Sequence, residues 1–212
     1  WYTLGLRGTG SKDMLVDDVF VPTHRSISTG ALFSGRSEPA TCHSSKIYLA
    51  PVLPGLALHI GAGSLGIARG ALNLFVEQTK GRAHAYTGQS KADVVGLQMR
   101  IAEAAAEIRS AELLLSDLCV QFEQQITSGE RPDVPMRART KWQAAYVTQL
   151  CRRAVERLYA AAGARSVYNS SGMQKAFRDI NTATHHATLD PDDAAETYGR
   201  LQLGLSAGTY IL

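Results

Sequence analysis

Two adjacent histidines, His185 and His186, are the side chains of this sequence best suited to proton chemistry. They lie in a stretch predicted to be helical, where neighbouring positions point about 100° apart, so at most one of them faces the interior. The pair is a poor metal site, because ligands on one helix face need i, i+4 spacing. A single inward histidine can donate a hydrogen bond or move a proton in a pocket. From the spacing alone, a histidine that merely packs in the core is the favoured interpretation.

The loop that follows the first predicted helix contains a possible anion ligand. Residues 80–88 read KGRAHAYTG, and the guanidinium of Arg82 suits the geometry of a phosphate group. A solvated connection between two helices explains the same residues equally well. The sequence alone leaves both interpretations open.

Three other motifs have structural explanations. Residues 61–66 read GAGSLG, a literal GxGxxG, but that fingerprint needs a strand before it and another after the helix, and the surroundings here are helical. Small residues that let two helices approach closely explain it better. Arg178 and Asp179 predict a structural ion pair, and the acidic run at 190–193 predicts negative charge at a helix N-terminus.

The residues above must be positioned by helices, because the sequence patterns indicate long helices joined by short loops. They predict a mainly α protein, an antiparallel four-helix bundle. The clearest pattern is an apolar seam in the second helix, which begins after Ser90 as N-cap and alternates steps of four and three. The seam residues are Leu97, Ile101, Ala104, Ile108, Ala111, Leu115, Leu118 and Phe122. The other predicted helices run from Pro54 to Lys80, from Pro135 to Gly163, from Met173 to Leu189, and from Pro191, capped by Asp190, to about Gly204.

The first 22 residues predict a β-hairpin. β-Branched and aromatic residues favour strands at 1–6 and 14–21, with a Gly-rich turn between them. We therefore divide the chain into a β tail (1–22), a connecting segment (23–50) and a helical bundle (51–212). Because the chain starts at Trp1 inside an extended segment, we expect it to be a fragment of a longer protein.

Composition excludes several classes of protein. The 212 residues are 45% hydrophobic and 19% charged, which excludes disorder, and a net charge of +3 argues against a dedicated nucleic-acid surface. No apolar run reaches membrane-spanning length and no signal pattern is present, so a soluble protein without a membrane partner is predicted. The cysteines are scattered outside CxxC spacing, which predicts no zinc site and favours a reducing cytoplasm. They are Cys42, Cys119 and Cys151.

Three motifs together resemble the C-terminal part of the acyl-CoA dehydrogenase superfamily. Residues 4–22, which contain LGLRGTGSKD and VDDVFVP, resemble the last strands of its central β-domain. GIARGAL at 66–72 is similar to its first C-terminal helix, and FRD at 177–179 to the start of its last long helix. Within the superfamily the sequence is most similar to the oxygenase components of two-component flavin-dependent monooxygenases, which hydroxylate 4-hydroxyphenylacetate or the phenolic ring of steroid catabolites.

This resemblance implies hydroxylation of a small phenolic substrate through a flavin C4a-hydroperoxide, without a metal. Reduced FMN or FAD would come from a separate flavin reductase. Dehydrogenases that carry their base on the last helix use a glutamate followed by Gly-Thr, whereas residues 184–188 read THHAT and offer no carboxylate. The resemblance implies that His186 faces the flavin as hydrogen-bond donor or proton relay, with His185 as the second choice.

The resemblance also implies a flavin-phosphate site, often shared with a neighbouring subunit, formed by Arg82, Gly163, Arg165 and Ser166. A homo-oligomer, most simply a tetramer, is expected. The isolated chain is expected to bind flavin weakly, because strands of the β-domain form much of the isoalloxazine pocket in that fold. The alternatives are an acyl-CoA dehydrogenase-like oxidoreductase and a truncated, non-catalytic oligomerising helical module.

Overall fold

The protein is mainly helical, as predicted. The computed structural model describes residues 1–36, 43–209 and 211–212. Within these ranges there are six α-helices and no β-strand. The helices are α1 (Thr29–Phe33), α2 (Val52–Lys80), α3 (Val95–Thr127), α4 (Val134–Ala161), α5 (Gly172–Ala183) and α6 (Pro191–Gln202).

Helix α4 is the centre of the fold, because it packs against α2, α3, α5 and α6. Its small residues allow this close packing on several sides: Ala144, Ala145, Cys151 and Ala154 are fully buried. Helix α3 covers it with the seam that the sequence predicts. The residues of that seam from Ala104 to Phe122 are buried, so this prediction is confirmed.

The four-helix arrangement is not confirmed in detail, because only three of the helices are long. The predicted helix from Met173 to Leu189 is wrong in its second half: α5 spans 12 residues and ends at Ala183. A separate 3₁₀ turn follows at Ala187–Leu189. The side chain of Thr182 donates to the carbonyl of Arg178 at 2.9 Å, a local bond that competes with regular helix, and threonines have low helix propensity.

The predicted caps are partly confirmed. Asp190 accepts hydrogen bonds from the main-chain N–H groups of Asp192 and Asp193, and it begins α6 with Pro191 at the first helical position, as predicted. Ser90 instead caps a short 3₁₀ turn at Lys91–Asp93, so that α3 begins only at Val95. The connecting segment also contains short helical turns, at Thr23–Arg25, Thr29–Phe33 and Lys46–Leu49.

The predicted β-hairpin does not form in residues 1–22. Leu6 and Asp18 have positive φ angles of 52° and 44°, which interrupt both extended stretches. A two-stranded hairpin without further strands is marginally stable, so residues that favour strands need a sheet to pair with. The side chains of Met14, Leu15 and Phe20 are exposed.

The GxGxxG sequence lies entirely inside α2, which agrees with its interpretation as helix packing. Gly61 contacts Leu115 and Val147, where a side chain would stand 3.5 and 3.8 Å from their atoms, whereas Gly63 and Gly66 have open space. Close helix approach therefore accounts for the first glycine only. Helix α2 is long and apolar enough to cross a membrane by length and composition, but a core helix meets the same criteria, and Ala57, Ala68 and Phe75 are buried.

Candidate functional site

The two histidines lie in a turn just beyond the C-terminus of α5, not within a helix as predicted. The main-chain N–H of His185 donates to Thr182, and that of His186 to Ala183, in the last bonds that follow the helix. Both histidines are exposed in the single chain, whereas the flanking Thr184 and Thr188 are buried. We call residues 184–188 the histidine turn.

The ring of His186 is held by the backbone. Its Nδ1 accepts a hydrogen bond from the main-chain N–H of Thr188 at 3.2 Å and so caps the 3₁₀ turn. A neutral imidazole that accepts at Nδ1 carries its proton on Nε2. Nε2 has no partner within the described residues, which leaves an oriented donor at the surface. His185 forms no side-chain hydrogen bond in the same part of the chain.

The histidine turn is anchored to the bundle by its apolar neighbour Leu189. This side chain is buried in a small cluster with Ala57 of α2 and with Ala144 and Ala145 of α4. The turn therefore lies beside the N-terminal halves of α2 and α4, where the packing fixes its position.

The histidine turn itself contains no carboxylate that could act as a base. Residues 180–189 contain no acidic residue, and Asp190 is used to cap α6. Asp179 is buried, accepts from the main-chain N–H of Leu6 at 2.7 Å and pairs with Lys175. Arg178 and Asp179 both hold α5 against a neighbouring segment, as predicted, but Arg178 donates to the carbonyl oxygen of Leu4 at 3.0 Å and Asp179 forms its ion pair with Lys175.

A second candidate site lies where α2 and α4 end and α3 begins. Arg82 and Lys91 line one narrow pocket there, together with Phe75, Gln78, Thr79, Leu97, Ala161 and Ala162. The loop returns on itself and brings the two cations together: the main-chain N–H of Lys91 donates to the carbonyl of Arg82 at 2.8 Å. An isolated bridge between Ala83 and Ser90 continues this pairing.

We call this the anion pocket because its lining carries two cations, although the pocket itself has room for only about one water molecule. No aspartate or glutamate lines it, and neither Arg82 nor Lys91 has an ion-pair partner among residues 1–36, 43–209 and 211–212. Two uncompensated cations at one pocket favour a phosphate or another anion. Lys91 was missed in the sequence, because nothing in its local spacing shows that the loop folds back onto Arg82.

Gly163 lies beside Lys91, and Ser166 lies in the same turn after α4, although neither of them lines the pocket. Gly163 has a φ angle of +79°, and a side chain there would stand 3.6 Å from Nζ of Lys91. The buried hydroxyl of Ser166 donates to the carbonyl of Gly163 at 2.7 Å and holds this turn. Arg165 is exposed and does not line the pocket. Of the four residues that the resemblance implies, Arg82 lines the pocket together with Lys91, and the roles of the other three stay predictions.

The histidine turn and the anion pocket lie at opposite ends of the bundle. The turn packs near Ala145 of α4, whereas the pocket is lined by Ala161 of the same helix. About 24 Å of helix axis separates these two residues at about 1.5 Å per residue. One chain therefore does not bring both sites to the same small molecule.

No three His, Cys, Asp or Glu side chains are grouped in a way that could hold a metal ion, within the described part of the chain. Cys119 is exposed and Cys151 is buried, and both thiols are free. Cys42 lies outside the described residues.

Comparisons with known proteins agree with the helical fold. Residues 58–191 match the family model described as acyl-CoA dehydrogenase, C-terminal domain. The chain is 34% identical to a pigment production hydroxylase of Rhodococcus sp., and the match covers all of this chain and 54% of that protein. It is 32% identical to the oxygenase component of p-hydroxyphenylacetate 3-hydroxylase of Acinetobacter baumannii, over 97% of this chain and 49% of that protein.

A solved structure gives the same result in three dimensions. XiaF from Streptomyces sp., in complex with FADH2 and glycerol, superposes with a TM-score of 0.89 at 26% identity, over 99% of this chain and 53% of that one. The chain spans about half the length of the curated relatives it matches.

Proposed function

Because the chain belongs to the acyl-CoA dehydrogenase family through its match to the C-terminal domain, we propose that the protein is the oxygenase component of a two-component flavin-dependent aromatic hydroxylase. The names of the relatives support a hydroxylase, and the p-hydroxyphenylacetate enzyme supports a phenolic substrate. The single observation that carries the proposal is the histidine turn, which has an oriented imidazole donor and no carboxylate. A dehydrogenase base at this turn would need that carboxylate.

A flavin phosphate would bind on the cations of the anion pocket and not inside it, because the pocket has room for only about one water molecule. Arg82 and Lys91 supply the positive charge, and Gly163 leaves the space that a side chain would take beside Lys91. Ser166 keeps the turn in place. Arg165 stays a candidate of the same site through its position next to Ser166. Both FMN and FAD carry phosphate, so reduced FMN or reduced FAD remains the proposed cofactor, with no metal.

When bound, the reduced flavin would activate O2, so that one oxygen atom enters the aromatic ring and the other leaves as water. The role of this chain is to place a donor beside that reaction. Nε2–H of His186 would donate to an oxygen of the phenol or of the activated O2, and it would move a proton during ring attack. His185 is the alternative donor. The backbone bond from Thr188 keeps the His186 ring in one tautomer for this role.

The distance between the two sites supports an assembly of several copies. About 24 Å of helix axis between the histidine turn and the anion pocket exceeds the distance from the ring system of a flavin to its phosphates. Each flavin would then contact the pocket of one copy and the histidine of another. A homo-oligomer, most simply a tetramer, meets this requirement, with a separate reductase as the source of reduced flavin in the cytoplasm.

The test uses the protein produced from its natural gene. Photoreduced FMN or FAD is mixed with O2 and a panel of 4-substituted phenols, and flavin oxidation, hydroxylated product and hydrogen peroxide are measured together. We expect one product per flavin oxidised with at least one phenol. Oxidation of acyl-CoA with an artificial electron acceptor would instead establish the dehydrogenase alternative. The absence of both activities would support the non-catalytic helical module.

A further inference from the structure

Lys141 is a buried lysine of helix α4 that lies where three segments of the chain meet. It exposes 3% of its surface. Its Nζ donates to Oδ2 of Asp193, in the first turn of α6, at 2.6 Å, and to the carbonyl oxygen of Ile211 at 3.4 Å. One ammonium group therefore joins α4 to the start of α6 and to Ile211.

Stability alone does not account for a lysine at this place. An ammonium group loses hydration free energy when it is buried, and replacing a buried ion pair by apolar residues of similar volume is often neutral or stabilising. The side chain of Asp193 remains 53% exposed, so this carboxylate stays hydrated and does not need the lysine. The buried cation is better explained by the position that it fixes.

That position is the position of the histidine turn, because the turn leads directly into α6. His186 caps the 3₁₀ turn at Ala187–Leu189, and Asp190, the next residue, caps α6. The two caps follow each other without a break. A shift in the first turn of α6, where Asp193 lies, would therefore move the histidine turn as well.

The apolar contacts of this region leave its position along α4 open. Leu189 and Ala194 are buried in one cluster with Ala57, Ala144 and Ala145. Alanines have no side chain that interlocks with a neighbour, and the hydrophobic effect has no direction. A charge-assisted hydrogen bond is short and directional. The ion pair is therefore the contact that sets where α6 begins along α4.

We propose that Lys141 is a positioning residue for His186. It acts through Asp193 and the two consecutive caps, and it keeps the Nε2 donor of His186 beside the reacting oxygen. The effect on catalysis rests on the flavin-dependent hydroxylation proposed above, whereas the mechanical link between Lys141 and the histidine turn does not. Lys141 contacts neither substrate nor flavin in this role, because its ammonium group is buried and engaged by Asp193.

Two substitutions break the ion pair from opposite sides. Lys141→Met removes the charge and keeps an unbranched side chain, while the carboxylate of Asp193 stays hydrated, so folding stability should change little. Asp193→Asn leaves the ammonium group buried without a carboxylate, so this variant should be the less stable of the two. Both are expected to loosen the histidine turn.

Two matched variants keep the ion pair and should behave like wild type. Asp193→Glu retains the carboxylate, and its partly exposed position leaves room for a longer side chain. Asp192→Asn makes the same change as Asp193→Asn in the same turn of α6. Asp192 is exposed and has no ion-pair partner among residues 1–36, 43–209 and 211–212.

The first measurement is hydrogen exchange in the natural full-length protein, which needs no flavin. The amides of Thr188 and Leu189 donate to Nδ1 and to the carbonyl oxygen of His186. They should exchange about tenfold faster or more in Lys141→Met and Asp193→Asn, whereas α3 should exchange as in wild type in Lys141→Met. Unchanged exchange of the turn in Lys141→Met overturns the proposal, and so does faster exchange spread equally over α3.

The second measurement is the ratio of hydroxylated product to hydrogen peroxide, with reduced flavin and a phenol that wild type hydroxylates. Lys141→Met and Asp193→Asn should lower the product per flavin oxidised by about tenfold, because a small displacement of a catalytic group lowers the rate. KM for the phenol should stay unchanged. A wild-type ratio in Lys141→Met overturns the positioning role. If wild type hydroxylates no phenol, the proposed function fails, and hydrogen exchange still decides the mechanical link.

Discussion

The main-chain N–H of Leu6 donates to Oδ1 of Asp179 at 2.7 Å, and this bond joins the start of the chain to helix α5. Arg178 strengthens the attachment by donating to the carbonyl of Leu4. Gly5 between them lies directly against the backbone of Arg178. The N-terminal segment is therefore fixed on the helix that leads into the histidine turn.

Gly5→Ala should detach this segment. A Cβ at Gly5 would clash with the carbonyl group of Arg178, and backbone cannot move aside as a flexible side chain can. We expect a loss of about 1–3 kcal/mol in the free energy of unfolding, as for overpacked sites. Hydrogen exchange should show that the Leu6 amide loses protection. Gly8→Ala is the control, because Gly8 has nothing within 4 Å. Equal protection of Leu6 in both variants would contradict the attachment.

Arg82→Gln and Lys91→Gln should weaken the binding of flavins that carry phosphate. Each variant removes one of the two cations at the anion pocket, and charge-assisted hydrogen bonds to phosphate contribute about 1.5–3 kcal/mol each. The natural full-length protein, titrated anaerobically with reduced FMN, should lose about tenfold or more in affinity. Riboflavin, which has no phosphate, should bind all forms alike. Arg165→Gln measures whether the exposed Arg165 belongs to this site. If Arg165→Gln were the one variant that weakened the binding of reduced FMN, the proposed phosphate site at Arg82 and Lys91 would be refuted.

Cys151 should make the fold less stable at alkaline pH. Burial raises the pKa of Cys151 to about 12 from an ordinary value of 9.0. Between these values the unfolded chain releases a proton that the folded chain keeps. The free energy of unfolding should therefore fall by about 1.4 kcal/mol per pH unit from this group as the pH rises.

Denaturant titrations from pH 8.5 to 11 measure this slope. The free energy of unfolding should fall less steeply with pH in Cys151→Ala than in wild type, whatever the stability of the variant at pH 8.5. Cys119→Ala should retain most of the wild-type slope: partial burial and Glu123 raise the pKa of Cys119 as well, but this thiol is exposed whereas Cys151 is buried. Parallel curves for wild type and Cys151→Ala would show that the buried thiol does not titrate differently in the two states.

The helical core could be predicted from the sequence because its signal is repeated. Ala104, Ile108 and Leu115 each add to one periodic seam, so an error at one position does not change the result. The end of α5 at Ala183 is different. It depends on one cap at His186 and on local bonds of threonine side chains, and no periodicity reports them.

Features that depend on distant residues could not be predicted. Lys91 joins Arg82 only because the loop folds back, and the carboxylate of Asp179 bonds to Leu6, 173 positions away. Residues 14–21 favour a strand by composition, but a strand needs neighbours to pair with. The roles that the resemblance implies for Gly163 and Ser166 stay predictions, because neither residue lines the pocket of Arg82.

His186→Asn should separate the cap from the proposed proton chemistry. Asparagine is a good cap that can still accept from the N–H of Thr188, and its amide keeps one donor, but it cannot relay a proton near neutral pH. In the natural full-length protein we expect hydroxylation to fall by about 10²–10⁴, the usual effect of lost acid–base assistance. Hydrogen peroxide should rise as product falls, whereas flavin affinity should barely change. His185→Asn is the matched control and should keep both rates, because His185 forms no side-chain bond in the described chain. Wild-type hydroxylation without extra peroxide in His186→Asn would assign the histidine to capping alone, and the reverse pattern would move the role to His185.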